Sequence, residues 1–353
     1  MTMRFGIMFF ASATGDAHET YRTMLDAARL ADDGGLAAVW TPERHFDTFG
    51  GVFPNPALTS AALATVTSRM QLRAGSLISP LHHTVRIAED WSVVDNLSGG
   101  RAAVSFGAGW NTNDFVLGPD SYADRRAVML EQLDTVRSLW RGAAVELPNG
   151  AGRPTAVRLH PRPVQPELPV WLTSSGSVRT FADAGALGVN VLTHLIGQDL
   201  DQLAEKIDVY RKARAEHGHR AEDGVVSLML HTHLDEDAGT AVARSRTPFR
   251  EYLRSAVGLE RQAAGGGGTI SGGLSLPDED IPDDLIEELL DVTYERYLHQ
   301  GSLIGSPDSC AAMVERLTAT GVDEVACLID FGLPADGILA GIAPLCALAA
   351  RHG

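Results

Sequence analysis

Ala102-Ala-Val-Ser-Phe-Gly-Ala-Gly-Trp-Asn-Thr112 is the stretch on which the architecture turns. Ala102–Phe106 is a short apolar run, as expected of a parallel strand buried on both faces. It runs into Gly107-Ala-Gly109, which opens like a dinucleotide-binding fingerprint. That fingerprint needs a third glycine for close helix–strand packing, with the helix N-terminus on a pyrophosphate. Trp110-Asn111-Thr112 stands there instead. A doubly wound dinucleotide sheet therefore lacks its marker here.

Outward from this stretch, strand-like and helix-like segments alternate along the whole chain, the pattern of βαβ units on a parallel sheet. Strands are predicted at Phe5–Phe10, Ala37–Thr41, Gln71–Ile78, Ala102–Phe106, Val170–Thr173, Val189–Thr193, Val225–Leu234 and Glu324–Ile329. Helices are predicted at Glu19–Asp33, Pro56–Ser68, Val85–Leu97, Asp124–Trp140, Val178–Ala186, Leu200–Glu216, Ala238–Val257, Leu285–His299 and Ser309–Thr320, with a last one near Ile338–Ala350. Periodicity alone does not separate a barrel from a large open sheet. The unbroken alternation and the missing fingerprint favour an α/β fold of the (β/α)8 TIM-barrel type, one domain over residues 1–353, and the length suits a barrel with insertions.

Two insertions interrupt the pattern. Residues 144–169 are rich in proline and valine and read as a small hairpin. Residues 259–282 carry Gly265-Gly-Gly-Gly268, Gly272-Gly273 and Asp278-Glu-Asp280. They read either as a surface loop or as a mobile lid over a site, since long loops in compact domains tend to be one or the other. Just before them, Arg246, Arg250 and Arg254 recur at helical spacing. They form either a positive docking face for an acidic carrier-bound substrate or a solvated face of ion pairs.

With 45 Asp and Glu against 29 Lys and Arg, the net charge is −16. This argues against nucleic acid, whose binding is driven by cations that neutralise phosphates. No run reaches the length of a membrane span. Phe5–Phe10 followed by Ala11-Ser-Ala13 mimics a short signal peptide, but its length suits a buried first strand better. Cys310, Cys327 and Cys346 are odd in number and widely spaced, which suits a reducing compartment; a cytoplasmic location is the expectation.

Several chemistries drop out. Neither lysine, Lys206 or Lys212, follows a glycine as a phosphate-binding P-loop requires. There is no Gly-x-Ser-x-Gly elbow. His231 and His233 share one face of a strand and could in principle hold a metal, but a polar barrel lining is the better reading, so no metal is expected. The sharpest local feature is Ala38-Val-Trp40-Thr-Pro-Glu43-Arg44-His45-Phe46. Pro42 ends a strand, and Glu43, Arg44 and His45 cluster just beyond it. In a (β/α)8 barrel the C-terminal strand ends carry the chemistry. The bland alternative is a Glu43–Arg44 ion pair with an incidental histidine.

At these residues the chain resembles the bacterial luciferase-like, flavin-dependent monooxygenases, from Arg4 to about Phe331. The resemblance is carried by Val39-Trp40 with Glu43-Arg44-His45-Phe46, by Ile78-Ser-Pro80-Leu-His-His83-Thr-Val-Arg86-Ile-Ala-Glu89, by Val94-Asp95-Asn-Leu-Ser-Gly-Gly100-Arg101, by Gly107-Ala-Gly-Trp-Asn111 with Asp114-Phe115, and by Leu168-Pro-Val-Trp171 leading to Ser174-Ser-Gly-Ser177. Trp91–Gly100, Tyr294-Glu-Arg-Tyr297 and Val322–Gly332 are similar to the branch found in polyketide and nonribosomal-peptide pathways.

The resemblance implies reduced FMN supplied by a separate flavin reductase, O2 as co-substrate, a C4a-peroxyflavin as the oxygenating species, and a homodimer. The substrate would be a small or acyl-carrier-protein-bound natural-product intermediate. A deazaflavin (F420)-dependent oxidoreductase and a non-catalytic flavin binder are the alternatives within the same fold. Glu43, Arg44 and His45 take the catalytic positions, although in the luciferases two histidines follow the glutamate and here Arg44 replaces the first. A family arginine on the flavin phosphate aligns with Ala108, so another group, Arg179 or backbone amides, must replace its charge. A non-proline cis peptide is implied at Gly75-Ser76.

Independently of the resemblance, Ser174-Ser175-Gly176-Ser177 after a strand lets backbone N–H groups approach an anion at a helix N-terminus. It reads as an FMN phosphate cradle, or as a plain serine cap. Gly75, Ser76, Asn111, Thr193 and His194 complete the cofactor candidates. Trp110, His231 and His233 complete the substrate pocket, each near a strand end.

Overall fold

The computed structural model describes residues 2–10, 16–47, 50–264, 268–270, 274–276 and 283–353, and for 256–286 the backbone alone. Eight parallel strands close into a barrel: β1 (Arg4–Met8), β2 (Ala38–Thr41), β3 (Gln71–Ile78), β4 (Ala102–Gly107), β5 (Val170–Ser174), β6 (Asn190–His194), β7 (Val226–Leu234) and β8 (Glu324–Leu328). β1 to β4 pair in sequence, β4 with β5, β5 with β6, and β6 with β7. The ring closes through Glu324↔Ser227 and Arg4↔Glu324, where β8 joins β7 and β1. Every expected strand is present, each within one or two residues of its predicted bounds, and the (β/α)8 barrel holds.

The helices between the strands are α1 (Ala17–Asp33), α2 (Pro56–Ala64), α3 (Thr84–Ser98), α4 (Arg125–Arg141), α5 (Val178–Ala186), α6 (Leu200–Glu216), α7 (Ala238–Ala264), α8 (Asp283–Gln300), α9 (Pro307–Thr320), α10 (Ala335–Ala340) and α11 (Ile342–His352). Their ends follow local chemistry. Asn55 caps α2, accepting from the Ala57 and Leu58 amides, and Pro56 opens it. Asp199 and Gln202 form a reciprocal capping box on α6. Helix α2 stops at Ala64 rather than Ser68 because Thr65 turns its hydroxyl onto the Ala62 carbonyl, 2.7 Å away. The last helix is two, α10 and α11, divided at Gly341.

Three features were not foreseen. A ninth strand, Ser302–Gly305, pairs with the upper half of β7, from Ser302↔His231 to Gly305↔Leu234. It takes the place beside β7 that β6 leaves at His194↔Met229. In the second insertion, Gly268–Ile270 and Leu274–Leu276 form an antiparallel pair. The lid reading rests mainly on 265–267, 271–273 and 277–282, which lie outside the described residues. Third, the N-terminal end of the barrel is plugged by a charged pair. Arg73 Nη2 donates to Glu324 Oε2 at 3.2 Å, and both side chains are fully buried. The guanidinium lies 4.6 Å from the Trp40 ring centroid and 4.3 Å from that of Trp171. Burial would push the Glu324 carboxyl up, but the Arg73 charge and hydrogen bond, with the Arg4 charge and the Ser227 hydroxyl, together outweigh it and hold the group low. In the first insertion, Val145–Pro148 and Pro154–Val157 form an antiparallel hairpin.

Candidate active site

Pro42 ends β2, and Glu43 then turns inward at the C-terminal mouth of the barrel, where it is buried. Its Oε2 accepts the Ile78 N–H at 2.7 Å, which ties it to the end of β3. Its Oε1 faces two imidazoles: His45 Nε2 at 3.0 Å and His82 Nε2 at 2.6 Å. A carboxylate only accepts, so both rings place a proton on Nε2. Burial would push Glu43 up, but the bonds from His45 and His82 and the His82 charge hold it below the ordinary carboxylate range. For His82 burial works downward, and the Glu43 bond and charge outweigh it, so its pKa is raised.

The Glu43–Arg44 ion pair of the bland reading does not form. Arg44 instead lays its guanidinium over Phe10, 4.1 Å from the ring centroid, with Trp110 at 6.0 Å. Phe46 adopts a left-handed φ of 58°, uncommon for a bulky residue, and keeps its exposed ring 5.6 Å from His45. Trp110 is half exposed on the same rim. Asn111 is spent locally: its Nδ2 donates to Asp114 Oδ1 at 3.0 Å and its Oδ1 caps Asn113. Burial pushes the Asp114 carboxyl up, against the pull of His45 and Arg44.

Gly75 and Ser76 meet in a cis peptide bond on β3, at the position the resemblance implies. A Cβ on Gly75 would stand 3.1 Å from the Trp40 side chain, so the strand passes directly over that ring.

Across the mouth, β5 ends at Ser174, whose Oγ accepts the Gly176 N–H at 3.2 Å. Gly176 has a φ of 97°, a conformation open to glycine at no steric cost. Ser177 is the N-cap residue of α5, yet its hydroxyl caps nothing, so the plain-cap reading fails. The first N–H groups of a helix have no intrahelical partner. A turn whose first helix-opening amides and Ser177 hydroxyl have no partner among the described residues fits a phosphate group. Thr193 is buried and donates to the Ser174 carbonyl at 2.9 Å. His194 accepts the Ile196 N–H at Nδ1, and burial pushes its pKa down to about 4.

His231 and His233 are buried at the upper end of β7. Phe249, Tyr252, Tyr297 and Phe331 surround the His231 ring at 4.2–5.7 Å, and burial pushes its pKa to about 3. Among the described residues, the Nε2 atoms of both have no hydrogen-bond partner. No group of three or more metal-binding side chains occurs among the described residues. The arginine face of α7 is neutralised: Arg246 pairs with Asp291 and Glu295, Arg250 with Glu287 and Asp291, and Arg254 with Glu251 and Glu287. Of the two readings of this face, the ion-paired one is what forms, with Glu251 and chiefly with α8.

Sequence reasoning assigned no role to His82, Asp114, Gln198 or Lys206. His82 and Asp114 carried a signal only as members of the stretches that carry the resemblance; Gln198 and Lys206 carried none.

Residues 3–324 match the family model described as luciferase-like monooxygenase. The oxygenase component of the flavin-dependent trigonelline monooxygenase of Acinetobacter baylyi is 25% identical over 347 residues, 94% of this chain and 90% of that protein. Among solved structures, the monooxygenase RslO1 from Streptomyces bottropensis superposes with a TM-score of 0.78 at 22% identity, covering 99% of both chains. The oxygenating constituent of 3,6-diketocamphane monooxygenase from Pseudomonas putida, in complex with FMN, gives 0.70 at 18% identity, covering 100% of this chain and 98% of that one. At such identities the two structures speak for the fold alone.

Proposed function

The chain belongs to the luciferase-like monooxygenase family, and on that premise we propose that it is the oxygenase component of a two-component system, using reduced FMN and O2 to oxygenate a small or carrier-bound organic substrate. The observation that carries the reading is the Glu43–His45–His82 cluster at the barrel mouth. Bound reduced flavin would supply the electrons that activate oxygen; the protein supplies the rest.

Glu43 fixes the tautomer of His45. With Nε2–H on the carboxylate, Nδ1 is the nitrogen left to hold or release a proton, and it has no partner among the described residues. His82 shares the negative charge of Glu43 and keeps that carboxylate ionised. Phe46, Trp110 and the Arg44–Phe10 stack stand on the rim, where they would help keep water from the reacting centre once cofactor and substrate are bound. Ser174–Ser177 and the first turn of α5 would take the phosphate. His231, neutral within an aromatic wall and with His233 beside it on the same strand face, suits an uncharged part of the substrate.

The test is anaerobic titration with reduced FMN and, in parallel, with reduced coenzyme F420, followed by mixing with O2. The reading expects tight binding of reduced FMN and altered reoxidation relative to free flavin. Binding of F420 alone would turn the assignment to a deazaflavin hydride-transfer enzyme. Replacing Gly176 with valine should abolish FMN binding; retention would misplace the cradle.

A further inference from the structure

The cradle at Ser174–Ser177 raises a question of charge, because Ala108 stands where the resemblance implies an arginine. The structure brings a cation to the cradle from elsewhere. Lys206, one of two lysines in the chain, lies half-buried on the second turn of α6. Its Nζ is 3.3 Å from the point where a Cβ on Gly176 would stand. The two residues meet only because α6 packs beside α5.

The setting of this lysine is unusual for a chain with 45 carboxylates. It forms no salt bridge among the described residues, and its hydrogen-bond partner is a neutral amide, Gln198 Oε1, at 2.7 Å. Gln198 is buried, and both its amide hydrogens are spent, on Thr193 Oγ1 at 3.2 Å and on the His194 carbonyl at 2.5 Å. Its oxygen must therefore face Lys206. Thr193 in turn donates to the Ser174 carbonyl. A continuous chain of bonds thus runs from the end of β5, through β6 and the loop after it, to the ammonium. Gln198 holds the lysine in place without neutralising it. One ammonium hydrogen goes to Gln198, and two remain for an acceptor.

We propose that Lys206, positioned by Gln198, is the cation that pairs with the phosphate of the flavin at the Ser174–Ser177 turn. The proposal rests on the FMN reading above and adds to it the group that distinguishes FMN from riboflavin. A charge-assisted hydrogen bond to a dianion at a half-buried site is worth roughly 10- to 100-fold in affinity.

The experiment compares FMN and riboflavin, each titrated oxidised and reduced, against the parent, Lys206→Met and Lys206→Arg. The expected result is that Lys206→Met loses roughly 10- to 100-fold in FMN affinity while its riboflavin affinity stays within about twofold. Lys206→Arg should keep most of the preference, and that preference should weaken with salt in the parent but not in Lys206→Met. Riboflavin binding doubles as the check on folding, and if Lys206→Met loses it, Lys206→Gln takes its place with the same expectation. An unchanged preference for FMN in the folded variant overturns the role of Lys206 and leaves the flavin reading standing. A parent that binds neither flavin overturns both.

Discussion

Glu43 Oε1 lies 2.6 Å from His82 Nε2, although the two residues are 39 positions apart and follow different strands. The bond links the end of β2 to the turn after β3, and its strength depends on pH in a direction that can be worked out.

His82 has a raised pKa, so it binds its proton more tightly folded than unfolded, where its value is near 6.5. Its contribution to stability is complete below pH 6.5 and is lost as the pH rises through the folded value. Glu43 is lowered from 4.5, so its contribution is present above that value and is lost as the pH falls through the folded one. The pair therefore stabilises most between about pH 4.5 and 6.5. Denaturant midpoints at pH 5.5 and 8.5 should show this term in the parent. His82→Gln should remove it, and an identical pH dependence in that variant would show that the bond contributes no linked proton.

His45→Ala removes the ring whose Nδ1 faces the site and leaves Glu43 bonded to His82. Flavin binding and melting behaviour are expected to survive. Oxygen transfer should fall by roughly 10²–10⁴-fold, with hydrogen peroxide released instead of product. Measuring product against peroxide per reduced flavin consumed decides the matter, and unchanged coupling would reduce His45 to a structural contact.

Arg73→Met leaves Glu324 charged in the barrel interior. Removing one partner of a buried pair costs about 3–5 kcal/mol. Restoring an uncharged interior with Arg73→Met and Glu324→Gln together should recover part of that loss. Equilibrium urea unfolding of the two variants against the parent reads the difference directly, and equal stability of single and double variants would contradict the pairing.

The α7–α8 ion pairs are solvent-exposed, and pairs of this kind are worth about 0.2–1 kcal/mol each. Arg250→Glu with Arg254→Glu should thus lower the melting temperature modestly, less so at high salt. Turnover of a carrier-bound substrate should be unaffected beyond that. A large, salt-sensitive loss of turnover at constant stability would favour the docking reading of this face.

The barrel was legible because its strands are apolar runs set between amphipathic helices, a signal each segment carries by itself. Ser302–Gly305 was not, because four residues between two helices give no period to read. The site divides in the same way. His45 could be placed from Pro42 and the strand before it, and Ser174–Ser177 from its glycine and hydroxyls. Lys206 could not, because its approach to Gly176 depends on how α6 leans on α5, thirty residues later. His231 and His233 were legible as a strand face, but the aromatic box around His231 was not, because Phe249 and Tyr297 reach it from α7 and α8. The arginine spacing on α7 was read correctly as a face, while its acidic partners lay mainly on a helix the spacing could not point to.

The short strand beside the top of β7 decides how residues 235–301 are attached. The chain leaves the barrel after Leu234 and comes back at Ser302, opposite His231 on the same strand. Its exit and its return are therefore neighbours, and the Asp235 amide bonds the Gly305 carbonyl at 3.0 Å across the junction. An excursion that starts and finishes at one seam behaves as an interchangeable cassette. Loop-closure entropy rises only slowly with length, so selection can lengthen, shorten or replace this segment, and with it the upper wall of the pocket, while the eight-stranded ring beneath stays in register.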